Sequence, residues 1–226
     1  LLRSMLTDPN VAITRATTHD NPHLAAMVRA RLERRYAGTR LGRQEIGGEL
    51  LEDVEGALWS WAMLQDRRPA PDLTRVVVAI DPAVTSGEDS DETGILVAGL
   101  GVDGRGYVLA DRSCRLSPDG WARRAVAAYD DFAGDLVVAE VNNGGDLVEQ
   151  TIKTVRRTIP YRKVSASRGK AVRAQPVAAL YEQGKISHVE VFDDLEMQLT
   201  TWTPESGSSP DRLDALVWAL TELLVK

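Results

Sequence analysis

The sequence predicts an α/β domain in which a mixed sheet is flanked by helices. Residues 76–80 (VVVAI) form an apolar, β-branched run that ends at Asp81 before a proline, which is typical of a buried strand. A similar run, DLVVA, ends at Glu140. A strongly periodic apolar helix begins near Asp211 and closes the sequence. Acids therefore stand at two strand ends and at one helix start.

The composition narrows the class of protein. The chain has 226 residues, 43% of them hydrophobic, and a net charge of −6, which is ordinary for a globular protein. One cysteine excludes an internal disulfide framework, and three scattered histidines argue against a histidine cage for a metal. No apolar run long enough to cross a membrane occurs, so we expect no membrane partner. Because the sequence begins with Leu1, we expect a fragment of a longer protein.

Residues 1–70 are predicted to be a helical lead-in without a core of its own. Apolar side chains at residues 27–36 recur at helical spacing among arginines. Either a solvated helix face or a contact to DNA or a partner would explain these arginines. A pair of glycines divides residues 41–64 into two predicted short helices, and two prolines near residue 70 mark a linker. The main domain is therefore predicted to cover residues 71–226.

The main domain is predicted to begin with an antiparallel meander of three strands. A polar loop follows Asp81, and the turn VDGRG separates the next two apolar runs. A Ser-Pro pair at residues 117–118 then starts a helix. The strand that ends at Glu140 follows this helix, and we expect it to lie parallel to the first strand.

The rest of the main domain alternates between helices and strands. A turn and a helix lead to a fifth strand at residues 161–167, and a helix containing Pro176 leads to a short edge strand at residues 188–192. Two more helices complete the sequence. This order places the end of the first strand beside the end of the fourth, and ligands of α/β sheets bind at such a crevice.

The carboxylates are the candidate functional residues. Two Mg²⁺ ions about 4 Å apart need several hard oxygen ligands, and strand ends with a nearby helix start supply such ligands rigidly. Asp81 and Glu140 are the predicted pair at the strand ends. Each residue also has a structural alternative: Asp81 could merely start a turn, and Glu140 could merely be solvated. Neither residue by itself decides between a metal ligand and its structural alternative.

The two acids of the terminal helix differ in how far local structure explains them. A capping Ser209, Pro210 in the first helical position and a first-turn acid would account for Asp211 without a metal. Asp214 lies about 40° from Trp218 around the helix, beside the apolar stripe. A carboxylate that borders a buried face needs an ion pair or a cation, so Asp214 has no such local explanation.

Four segments, in order, carry a resemblance to a known family. They are residues 76–99 (VVVAIDPAVTSGEDSDETGILVAG), 137–152 (VVAEVNNGGDLVEQTI), 167–186 (SRGKAVRAQPVAALYEQGKI) and 209–220 (SPDRLDALVWAL). These segments resemble the nuclease domain of the large terminase subunit of tailed bacteriophages, prophages and gene-transfer elements, and the resemblance covers residues 74–226. The helical lead-in resembles the segment that joins the packaging ATPase to the nuclease in the same proteins.

The resemblance implies a ribonuclease-H-like fold and an endonuclease that uses two Mg²⁺ or Mn²⁺ ions to cut concatemeric double-stranded DNA. At its motif positions it implies that Asp81, Glu140 and the pair Asp211 and Asp214 are catalytic metal ligands. Which acid of the pair is the main ligand stays open. No phosphate-loop motif occurs, so the ATP-hydrolysing motor is not in this sequence. The implied partners are the ATPase domain of the full-length chain, the portal and the small terminase subunit, in the host bacterial cytoplasm.

A basic stretch is the predicted DNA contact. Residues 150–181 contain eight lysines and arginines and no acid, a pattern that neutralises phosphates without reading bases. Arg168, Lys170 and Arg173 are the preferred contacts, because they fall within the third family-like segment. A solvated surface would explain the remaining basic residues equally well.

Three other functions compete with the terminase nuclease. A Holliday-junction resolvase or a transposase-like nuclease would use the same fold and acids. A sugar-kinase-like ATPase also begins with a strand ending in aspartate, but it needs glycine-rich phosphate loops in two repeated halves, and the sequence contains no such repeat. A non-catalytic scaffold of the packaging motor would leave the acids unused.

Overall fold

The computed structural model describes residues 12, 14, 16–36, 46, 53–82, 92–141, 145–165, 169–206 and 210–225. The chain divides into two compact units, Leu1–Glu52 and Asp53–Lys226. In the first unit, a 3₁₀ turn at Thr18–Asp20 precedes helix α1, Ala26–Tyr36, as the arginine-rich helical pattern predicts. The first of the two short helices predicted within residues 41–64 falls mostly outside the described residues.

The second unit is built on a six-stranded mixed sheet. Its strands are β1 Leu73–Asp81, β2 Gly94–Gly101, β3 Gly106–Asp111, β4 Leu136–Glu140, β5 Tyr161–Val164 and β6 Ile186–His188. They lie in the order β5-β4-β1-β2-β3-β6. The first three strands pair antiparallel, whereas β4 pairs parallel with β1, β5 with β4 and β6 with β3. The predicted mixed sheet is confirmed.

Helices cover both faces of this sheet. They are α2 Pro118–Asp131, α3 Gly145–Val155, α4 Lys170–Glu182, α5 Asp193–Thr201 and α6 Asp211–Leu220, which continues into a π-helical turn at Thr221–Val225. Alternate residues of β1 enter two separate apolar clusters: Val77 joins the cluster formed by α4, α5 and α6, and Val78 joins the cluster formed by α2 and α3. Because both faces are covered, the central strands are continuous apolar runs rather than alternating ones.

The pairing of β1 with β4 determines where two of the acids lie. In the parallel register, Val77 pairs with Leu136 and Ile80 pairs with Ala139. The next residue on each strand is Asp81 and Glu140. Two neighbouring parallel strands therefore end in carboxylates on the same side of the sheet, at their C-terminal ends, as the sequence predicts.

The lead-in segment of the second unit differs from its prediction. Residues 53–62 contain no regular helix, and within residues 53–72, all of which the structure describes, the only helical turn is the 3₁₀ turn Met63–Gln65. Trp59, Trp61 and Leu64 are instead buried in the cluster of α4, α5 and α6, so this segment is held by burial of large side chains. The part of the lead-in after Glu52 therefore shares the core of the main domain. Its origin as a connection from an ATPase domain stays a prediction.

Two further boundaries differ from the sequence prediction. The edge strand is Ile186–His188 rather than residues 188–192, because its parallel partner β3 pairs only with these three residues. Pro210 occupies the N-cap of α6 rather than the first helical position, and no side chain caps the helix among the described residues.

A close backbone contact brings the start of α6 against the sheet. Gly94, the first residue of β2, pairs with Asp81. A Cβ atom at Gly94 would lie 2.1 Å from the carbonyl oxygen of Asp211. Only glycine permits this approach, and the approach places the first turn of α6 beside the end of β1.

We predict that Gly94→Ala destabilises the protein. The clash is with backbone, which no side-chain rotation relieves, so the free energy of unfolding should fall by about 3 kcal/mol, the upper end of the overpacking range. Urea denaturation measures the change. Gly169→Ala is the matched control, since a Cβ atom there meets nothing within 4 Å. Equal stability of the two variants would contradict the close-contact argument.

Candidate metal centre

Three carboxylates from three separate elements converge where the central strands β1 and β4 end. Asp81 ends β1, Glu140 ends β4 and Asp214 lies in the first turn of α6. Each offers an oxygen atom, and these oxygens all lie within 4.8 Å of one another. The side chains of Glu140 and Asp214 are each only 3% exposed. Such a cluster of hard oxygen donors on rigid elements is suited to a divalent cation.

The terminal helix contributes its two acids unequally. Among the described residues, the mutually close group contains Asp214 and does not contain Asp211. Asp211 still acts on the cluster through its charge, because it contributes to the pKa of Asp81. The helical geometry that separates the two acids thus gives Asp214 the inward position and Asp211 the outer one.

The charge of the cluster is visible in the pKa of Asp81. Burial and the charges of Asp214, Glu140 and Asp211 together raise this pKa to about 8, against the opposing effect of Lys170. The positive groups of the protein therefore do not fully offset the negative charge of the Asp81 carboxylate. A bound divalent cation would be the largest local charge and would reverse this balance, so the acids fit a metal ion better than they fit one another.

Two of the three predicted DNA contacts lie against the acids. The Lys170 ammonium is 2.5 Å from Asp214 Oδ2, and its side chain is 41% exposed. Arg173 is only 10% exposed and donates from Nη1 to Glu140 Oε2 at 3.3 Å. Arg168 lies outside the described residues. The structure thus gives Lys170 and Arg173 a position within the acid cluster, which the sequence did not predict.

Acids outside the basic stretch neutralise much of its charge. Lys153 and Lys163 both contact Glu149, which directly precedes the stretch in sequence. Arg156 contacts Asp130 and Arg162 contacts Glu222. The absence of acids between residues 150 and 181 therefore overstates the positive charge of the folded surface.

Sequence reasoning missed Arg212. Its guanidinium donates to Asp111 Oδ2 at 2.8 Å, to Glu92, and to Asp194 Oδ2 at 3.2 Å. These acids belong to the end of β3, the residues before β2 and the start of α5, so Arg212 ties three elements to the first turn of α6. The available signal was an arginine in a first helical turn, where the helix dipole disfavours a cation.

Trp218 has a second role that its apolar spacing did not reveal. Its indole Nε1 donates a 2.7 Å hydrogen bond to Glu140 Oε2, and the Arg173 guanidinium carbon lies 4.5 Å from the centroid of its ring. A buried indole needs a partner for its N–H group. Here that partner is a carboxylate of the cluster.

The fold and the cluster together define a class of protein. A mixed sheet with acids at the ends of β1 and β4 and on a terminal helix is a ribonuclease-H-like domain. Residues 78–223 match the family described as the Terminase RNaseH-like domain. This match spans more than half of the chain, and the chain belongs to that family. No curated protein matches the chain in sequence.

Solved structures of terminase nucleases share the fold. The large terminase nuclease from thermophilic phage G20c has a TM-score of 0.55 at 15% identity, over 74% of this chain and 98% of that chain. Its magnesium-bound form has a TM-score of 0.54 at 14% identity, over 75% and 98%. The nuclease domain of the large terminase subunit gp2 of bacterial virus Sf6 has a TM-score of 0.50 at 13% identity, over 67% and 89%.

The predicted family and fold are therefore confirmed, and at these identities the structural likeness shows the fold alone. No helix in the described part of the chain has the length and apolar character needed to cross a membrane.

We predict that Asp81→Asn stabilises the metal-free protein in a pH-dependent way. Folding raises the pKa of Asp81 from 3.8 to about 8. Below about pH 4 the carboxyl is protonated in both the folded and the unfolded protein, so it does not lower the free energy of unfolding. The cost of its charge grows up to about pH 8. Each pKa unit corresponds to about 1.4 kcal/mol, so the advantage of the asparagine should reach a few kcal/mol. Thermal melts in EDTA at pH 5 and pH 8 measure it. An equal advantage at both pH values would contradict the raised pKa.

Proposed function

We propose that this chain is a metal-dependent endonuclease domain of a viral DNA-packaging terminase, which cuts concatemeric double-stranded DNA. The observation that carries the proposal is the group of three carboxylate oxygens within 4.8 Å of one another, supplied by two strand ends and one helix. Membership of the terminase RNaseH-like family supports it. The magnesium-bound phage G20c nuclease, which shares the fold, also supports it.

In this proposal, Asp81, Glu140 and Asp214 hold two Mg²⁺ or Mn²⁺ ions, and Asp211 is a secondary, outer ligand. Two such ions supply Lewis-acid chemistry, since they lower the pKa of water and stabilise charge on the leaving oxygen of a phosphodiester. The protein contributes position. Asp81 and Glu140 extend from paired strands, and Asp214 lies on a helix that contacts the sheet, so the three ligands keep a fixed spacing.

Duplex DNA would approach from the side of Lys170. This side chain is 41% exposed beside the acids, and Lys170 begins helix α4, two residues after Arg168 in the sequence. Phosphate contacts by these two residues would hold DNA of any sequence. Arg173 is assigned to the acids rather than to DNA, because only a tenth of its side chain is exposed.

The proposal includes the packaging context. The chain would act beside the ATPase domain of a full-length terminase, with the portal and the small subunit as further partners, in the cytoplasm of a host bacterium. A junction resolvase of the same fold is the enzymatic alternative. A supercoiled plasmid and a four-way junction, offered as competing substrates with Mg²⁺ or Mn²⁺, separate the two functions.

We predict that Asp81→Asn and Glu140→Gln each lower plasmid cleavage by more than about 100-fold, since losing even an outer partner of a metal ligand costs about 10–100-fold. Both variants should still bind duplex DNA. Agarose-gel cleavage with Mn²⁺ measures the effect, with EDTA and ATP as controls. Glu149→Gln is the matched control, since this acid pairs with Lys153 on α3 and Lys163 on β5. Cleavage by the wild type that resists EDTA, or cleavage by either variant at the wild-type rate, would contradict the proposal.

We predict that the two helix acids are separable. Asp214→Asn should abolish cleavage, because Asp214 belongs to the converging group, whereas Asp211→Asn should lower the rate by only about 10-fold, as an outer partner does. Single-turnover rates at saturating Mn²⁺ measure the difference. The reverse order of severity would make Asp211 the main ligand.

A further inference from the structure

The orientation of the Glu140 carboxylate is the subject of a further inference, which rests on the proposed metal site. Glu140 Oε2 accepts hydrogen bonds from Trp218 Nε1 at 2.7 Å and from Arg173 Nη1 at 3.3 Å. A carboxylate oxygen has about two acceptor positions. Both positions of Oε2 are therefore used by protein donors, and among the described residues no hydrogen bond reaches Oε1.

The two donors also support each other. The Arg173 guanidinium lies over the Trp218 ring, 4.5 Å from its centroid, within the range of a cation–π contact. Trp218 belongs to α6 and Arg173 to α4. One indole thus holds the arginine with its face and the glutamate with its edge.

Arg173 is placed at a cost that its own hydrogen bonds do not explain. Its side chain is 10% exposed, and its Nε and Nη2 atoms are buried without a hydrogen-bond partner among the described residues. Its nearest further acid is Asp214, with Nη2 4.0 Å from Oδ1. Buried donors without partners are rare and require an explanation. The ion pairs of the guanidinium with Glu140 and Asp214 offset this cost, and the hydrogen bond that it makes goes to Glu140 Oε2.

We infer that Trp218 and Arg173 are positioning residues that make Glu140 a one-oxygen ligand through Oε1, and that they thereby set which divalent cation the site prefers. Mg²⁺ and Mn²⁺ take octahedral oxygen sites, which one-oxygen carboxylates suit. Ca²⁺ accepts six to eight oxygens and readily takes both oxygens of one carboxylate. Holding Oε2 away from the ion therefore disfavours Ca²⁺ relative to Mn²⁺.

Titration calorimetry of the full chain with Mn²⁺ and with Ca²⁺ tests this inference. Trp218→Phe removes the N–H donor and keeps an aromatic face for Arg173. We expect the Mn²⁺ dissociation constant to rise by about 10-fold, the lower end of the effect of losing an outer partner. The Ca²⁺ constant should rise less or fall, because the freed Oε2 becomes a second ligand. The ratio of the Ca²⁺ constant to the Mn²⁺ constant should therefore fall, by about 10-fold where the Ca²⁺ constant is unchanged.

Two other variants complete the experiment. Trp121→Phe is the matched control, because Trp121 is 6% exposed against 7% for Trp218 and packs in the cluster on the other face of the sheet. It should leave the ratio unchanged. Arg173→Met removes the second donor while the indole stays in place, so it should lower the ratio in the same direction, and it tests the inference even if Trp218→Phe fails to fold.

The outcomes distinguish this inference from the proposed function. Absence of Mn²⁺ binding by the wild type would overturn both. Mn²⁺ binding by the wild type, with the same ratio of constants in the wild type and in every folded variant at Trp218 or Arg173, would overturn only the inference. Equal rises of both constants belong to this second case, since they report lost stability or charge rather than lost orientation.

Discussion

Mutual repulsion among three buried carboxylates is the interaction to which the second compact unit is adapted. The three oxygens lie within 4.8 Å of one another, and burial together with the neighbouring acids raises the pKa of Asp81 to about 8, so the charged form of Asp81 costs stability. Backbone pairing opposes the repulsion for two of them, since Asp81 and Glu140 directly follow paired residues of β1 and β4. The cations of Lys170 and Arg173 oppose it from helix α4.

The third acid depends on how closely α6 approaches the sheet. Gly94, the first residue of β2, has no side chain and so lets the backbone at Asp211 approach the strand. Arg212 in the same helical turn forms ion pairs with acids from three other parts of the chain. The close backbone contact and the ion pairs thus involve adjacent residues of one turn. Together they hold Asp214 against the strand ends, although the charges there would separate the helix from the sheet.

The sequence predicted the parts of this arrangement that depend on local pattern. Apolar runs ending in acids identify β1 and β4, and the position of Asp214 beside an apolar stripe distinguishes it from Asp211, because burial leaves a period in the sequence. The edge strand β6 begins two residues earlier than the sequence predicts, because its position depends on pairing with β3. The lead-in around Trp59 was predicted as helix, because burial against a distant cluster leaves no local period.

Contacts between distant residues left no such signal. Arg212 meets Asp111 and Glu92 across about a hundred residues of chain or more. Glu222 neutralises Arg162 from the far end of the domain. A count of charges along the chain therefore describes the unfolded protein better than the folded surface, and the basic stretch between residues 150 and 181 is the clearest case.

The register of β1 against β4 explains why this chemistry is placed on strands rather than on loops. Side chains alternate between the two faces of a sheet, so a slip of one residue would move a carboxylate to the opposite face. The five buried apolar residues before Asp81 and the four before Glu140 would be transferred to the wrong clusters by the same slip. Hydrophobic burial thus fixes the register, and the register fixes the distance between two acids that would otherwise move apart.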